Sequence, residues 1–86
     1  MDPAVAFGRV LKTARKSAHL TQEQLAFNAG IERNYVSLIE RGINQPTIRI
    51  LFKLAAALGL PASALIEMTE REIDPSNDAD NTTAPK

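Results

Sequence analysis

The sequence predicts an all-α fold, five short helices in one compact domain over residues 3–72, with a polar, acidic tail over 73–86. Two observations carry this. Apolar side chains recur three and four residues apart in successive short runs, the spacing of helices with one buried stripe. Glycine or proline punctuates the later intervals, at Gly30, Gly42, Pro46, Gly59 and Pro61. No strand-like alternation and no internal repeat appears. The chain has 86 residues, 44% of them hydrophobic, and no cysteine. Packing alone must therefore hold a domain near the lower size limit for a single core.

The first helix is expected over 3–18, with Phe7, Val10, Leu11, Ala14 and Ala18 inward. The second opens at Thr21, which forms a Thr-x-x-Gln capping box with Gln24, and buries Leu25, Ala26 and Ala29. Gly30 ends it, in the left-handed conformation that a side chain would penalise. The third runs over roughly 32–41 behind a weak cap, Glu32, whose longer side chain closes the capping ring poorly. Thr47 caps the fourth, which runs to Leu58 with Ile48, Leu51, Phe52, Ala55 and Leu58 inward and Gly59 as its stop. Pro61 is placed at the first position of the fifth helix, where its missing N–H is not needed. From about Asp74 the polar composition predicts disorder.

Net charge is zero, but its distribution is uneven. Between Pro3 and Leu60 the cations Arg9, Lys12, Arg15, Lys16, Arg33, Arg41, Arg49 and Lys53 outnumber Glu23, Glu32 and Glu40, a net +5. Pro61 to Lys86 carries a net −4, and Asp2 the remaining −1. A basic body with an acidic tail points to a polyanionic partner.

The stretch GIERNYVSLIERG, residues 30–42, turns Tyr35, Val36 and Ile39 to one side and Arg33, Asn34, Ser37 and Arg41 to the other. A short helix between glycines with hydrogen-bonding groups on its outer side suits the major groove of DNA. The preceding helix lies one glycine turn away, the arrangement of a helix-turn-helix. Small Ala26 sits at the helix crossing, Gly30 makes the turn, and Val36 and Ile39 anchor the second helix.

These features resemble the lambda-repressor and Cro-like helix-turn-helix regulators of the xenobiotic-response-element type. The resemblance covers LTQEQLAFNAGIERNYVSLIERGINQPTIRILFKLAAALGL, preceded by FGRVLKTARK, and extends over about residues 5–70. It implies a five-helix bundle and a homodimer bound to double-stranded operator DNA. It implies base reading by Arg33, Asn34 and Ser37, with Leu38 at the margin. Arg pairs naturally with guanine O6 and N7, and Asn with adenine N6 and N7. It further implies that Gln22 bonds a phosphate or an outer base, and that the loop with Asn44 and Gln45 follows the backbone. Thr47 would receive a phosphate at a helix N-terminus, with Arg41 and Arg9 as additional phosphate partners. Arg15 and Glu40 would form a structural ion pair. Glu32 departs from the usual short cap, so the first turn of the third helix is expected to be weakly held without DNA. Tyr35 is large for its place and is expected to pack on the core. Pro61 stands where the family places a polar cap.

Other functions are disfavoured. His19 has no cysteine partners for a metal site and no acid placed to complete a triad with Ser17. Glu67, Glu70 and Glu72 are read as solvated helix charge. There is no glycine-rich phosphate loop, and neither enzyme activity nor a cofactor or metal is expected. The opening MDPAVAFGRV disfavours a secretory signal, and no window approaches the ~18 apolar residues of a membrane span, so a cytoplasmic protein is expected. Leu65, Ile66, Met68 and Ile73 supply more apolar surface than one fold contact needs and are the expected dimer contacts. The alternative function is an antitoxin or adaptor that binds a protein partner, with or without DNA.

Overall fold

The structure, a computed structural model, describes residues 1–75. It contains α1 (Pro3–Ser17), α2 (Gln22–Ala29), α3 (Arg33–Glu40), α4 (Ile48–Leu58) and α5 (Ala62–Ile73), with no strand among the described residues. The tail expected from residue 73 begins later, because Ile73 still belongs to α5. Beyond Pro75 that expectation lies outside the described residues.

Local chemistry sets the helix ends. The Asp2 carboxylate accepts the Ala4 and Val5 N–H groups at 3.0 and 3.3 Å, and Pro3 follows at the first helical position. Asp2 was counted in the sequence only as a charge. Its cap is a feature that the Asp-Pro pair could have revealed. The Thr21–Gln24 box is closed in both directions, at 3.0 and 2.9 Å. Gly30 takes φ +72° at the end of α2. Thr47 Oγ1 accepts the Ile50 N–H at 3.1 Å. Pro61 is the N-cap residue of α5 and not its first helical residue. Ala18 is exposed, contrary to expectation, because α1 stops at Ser17 and the chain turns away through His19, which has φ +61°.

One core unites the five helices. Phe7, Val10 and Leu11 of α1 meet Leu25, Ala26 and Ala29 of α2, Val36 and Ile39 of α3, Leu51, Leu54 and Ala55 of α4, and Leu65 of α5. Helix α1 packs along α5 and against α3, while α2 packs on both α3 and α4. The approach of α1 to α3 is close at Gly8, where an added Cβ would stand 2.5 Å from the Ile39 carbonyl oxygen and 2.7 Å from that of Glu40. Helices α4 and α5 meet at 101°, and no single helix is long and apolar enough to cross a membrane.

Two inward assignments on α4 are corrected. Ile48 is 70% exposed and Phe52 60%, while Leu54, not singled out in the sequence, is fully buried. The helix is apolar on almost every side, so its phase is set by contact with α2 and α5 and not by its own pattern.

Candidate nucleic-acid interface

Helix α3 is seated by Val36 and Ile39, both fully buried, with Tyr35 packed at the edge of the core. Its opposite face carries Arg33 and Asn34, both exposed, and half-buried Ser37 and Leu38. Successive spacings of one, three and one residues keep these four on one helical stripe. Arg41, the exposed C-cap residue, extends it by a further turn. Neither Arg33 nor Arg41 forms an ion pair among the described residues. Glu32 makes no side-chain cap bond, yet α3 is helical from Arg33 onward. The weak cap thus leaves this turn formed in the protein alone.

The chain after α3 folds back under it. Leu38 O accepts the N–H of Ile43 at 3.0 Å and that of Asn44 at 3.2 Å, and Ile39 O accepts the Gly42 N–H at 3.0 Å. These bonds cap the C-terminal turn and hold half-buried Asn44 and exposed Gln45 beside the end of the stripe. Thr47 is exposed, but its oxygen already accepts from Ile50. What it offers a phosphate is its hydroxyl hydrogen and the start of α4.

Beneath this surface lies a buried ionic knot. Arg15 Nε donates to Glu40 Oε2 at 2.6 Å and Arg15 Nη2 to Glu40 Oε1 at 3.1 Å, with the side chains only 10% and 3% exposed. Arg15 Nη1 donates to the Leu20 carbonyl at 2.9 Å, and Gln22 Nε2 to Glu40 Oε1 at 3.0 Å. The knot ties α1, the α1–α2 link, the first turn of α2 and the last turn of α3 together. Gln22 was expected only to face DNA; in the structure its amide is also engaged with Glu40. The sequence carried no signal for that bond, which joins residues 18 positions apart. Gln22 and Arg33 line the same open cleft.

Arg9 is placed elsewhere. It pairs with Glu72 of α5 at 3.4 Å and is thereby drawn toward α5, which argues against the phosphate role expected of it. Of the expected dimer contacts, Leu65 is fully buried within its own subunit and offers nothing to a second copy. Ile66 is 44% exposed, and Met68 and Ile73 are half-buried.

Residues 11–65 match the Helix-turn-helix family HTH_3. The chain belongs to this family, in its lambda-repressor and Cro-like branch. Among helix-turn-helix relatives, the immunity repressor protein of Bacillus phage phi105 is 41% identical over 59 residues, which cover 69% of this chain and 41% of the repressor. The chain likewise spans 41% of the length of two HTH-type transcriptional regulators of Mycobacterium tuberculosis. The restriction-modification controller protein C.AhdI of Aeromonas hydrophila superposes with a TM-score of 0.71 at 39% identity, over 72% of this chain and 94% of that one. The controller protein C.Esp1396I, solved as a tetramer in complex with its natural 35 base-pair operator, superposes with a TM-score of 0.77 at 30% identity, over 85% and 96%.

Proposed function

We propose that this helix-turn-helix protein is a transcriptional regulator that binds specific double-stranded DNA as a homodimer on a near-palindromic operator. The observation that carries the reading is the outer stripe of α3. Val36 and Ile39 lock the helix to the core, so Arg33, Asn34 and Ser37 stand on a rigid support facing out. Entering the major groove, Arg33 would clasp a guanine through O6 and N7 and Asn34 an adenine through N6 and N7, each contact worth about 1–3 kcal/mol of discrimination. Arg41, Asn44, Gln45 and Thr47 would hold phosphates and fix the register without reading sequence. The reading assigns the protein to the cytoplasm, with its DNA, and gives it no reaction to catalyse.

The homodimer finds support in apolar surface that the fold leaves bare. Ile48 and Phe52 of α4 lie one turn apart, and Phe52 borders an apolar groove with Ala56, Leu60, Pro61 and Ser63. Ile66 continues this surface one turn beyond Ala62 and Ser63. The flanking charges are complementary: exposed Arg49 and Lys53 on α4, exposed Glu67 and Glu70 on α5. A two-fold pairing would bring the α4 of one subunit toward the α5 of the other. The dimer surface is thus centred on Phe52 and Ile66, with Leu65 removed from it.

Selection of bound duplexes from a random pool tests the function. We expect a near-palindrome with half-sites about one helical turn apart. For Arg33→Ala we expect lost preference at one base pair of each half-site and unchanged preference elsewhere. Equal weakening on all sequences would remove Arg33 from base reading.

A further inference from the structure

Glu40 satisfies three donors with two oxygens: Nε and Nη2 of Arg15, and Nε2 of Gln22. An ionised carboxylate has no hydrogen to give. The Gln22 amide must therefore turn its nitrogen toward Glu40 and its carbonyl oxygen away. Without that acceptor the two ends of the amide are nearly interchangeable; with it, one polarity is set. The edge left free is Oε1 beside the second N–H of Nε2.

That edge selects its partner. A phosphate has acceptors only, so it would use the single N–H and be repelled by Oε1. Guanine presents two acceptors, N7 and O6, in the major groove and meets the same repulsion. Adenine presents an N6 donor beside an N7 acceptor and matches both atoms of the edge. Because Gln22 lines one cleft with Arg33, the first residue of α3, the edge lies beside the part of α3 that leads into the groove.

We propose that Gln22 reads an adenine next to the base pairs read by α3, and that Glu40 is the positioning residue that sets its polarity. Glu40 touches no DNA in this scheme. Arg15 holds the carboxylate ionised and in place, itself steadied by the Leu20 carbonyl. The inference rests on the DNA-binding reading and adds a second reading element to it.

Bound-sequence selection with the full chain tests it. The wild type should show an adenine preference at one position outside those lost in Arg33→Ala. Gln22→Ala should reduce that preference about tenfold and leave the others intact. Uniform weakening on all duplexes would mark Gln22 as a phosphate contact and overturn the proposal. Glu40→Gln, whose amide both gives and accepts, should relax the preference at the same base pair while the Arg33-dependent one persists. The double variant Arg15→Met/Glu40→Leu removes the acceptor without stranding a buried charge and should act likewise. If both forms keep the full adenine preference, or lose affinity for every sequence alike, the positioning role of Glu40 is wrong. A wild type that selects no sequence would defeat the DNA-binding reading itself, and this inference with it.

Discussion

Arg15 and Glu40 have left water almost completely, at a desolvation cost of several kcal/mol for each ion. Their contacts offset it, since Glu40 accepts three bonds and Arg15 reaches a carbonyl with its remaining arm. Removing one partner should therefore be far worse than removing both. Glu40→Ala leaves a guanidinium buried without its counter-charge and should lower stability by about 3–5 kcal/mol in urea unfolding, whereas Arg15→Met/Glu40→Leu should change it much less. At this scale the sequence was only partly legible. The two residues stand 25 positions apart, with no local pattern to join them, and only the family likeness brought them together. That likeness pointed Gln22 outward, and only coordinates could reveal that half of its amide is held from within.

The helices were legible where their signals are local. The Thr21–Gln24 box, the Thr47 cap and the left-handed Gly30 each depend on a few neighbouring residues, and each lies where the pattern put it. Helix α4 was harder. IRILFKLAAAL offers an apolar residue to nearly every direction, so Ile48 and Phe52 looked as suitable for the core as Leu54. Leu65 was misplaced for a related reason, since an apolar residue does not announce which neighbour will cover it. The seating of α3 on α1 is another property of the pair. Gly8 lets α1 approach the last turn of α3 closely, and the Cβ of Gly8→Ala would meet two backbone carbonyls that cannot swing aside. We expect that variant to lose about 1–3 kcal/mol by overpacking. Its DNA affinity should fall as well, measured by fluorescence anisotropy at fixed salt, because the displaced partner is the reading helix.

For the molecule as a whole, zero net charge conceals a cationic body. Arg33, Arg41, Arg49, Lys12, Lys16 and Lys53 are exposed and form no ion pair among the described residues, so much of the +5 is available to a polyanion. Self-association is the second molecular property. Phe52→Glu places a carboxylate in the middle of the bare α4–α5 surface while disturbing little of the core, since Phe52 is 60% exposed. In sedimentation equilibrium we expect a folded monomer, with operator affinity reduced more than half-site affinity. A variant that stays dimeric would move the contact elsewhere.

Gly8 has a bearing on length as well as on packing. Through that close approach α1 is pressed against the end of α3, and the same helix lies along α5. In a dimer joined through α4 and α5, no slack would then remain between the join and either reading head. The pair becomes a caliper with fixed jaws. One base pair inserted at the operator centre turns one half-site by roughly 34° relative to the other. Such a site should be gripped by one jaw at a time, visible in footprinting as protection of a single half.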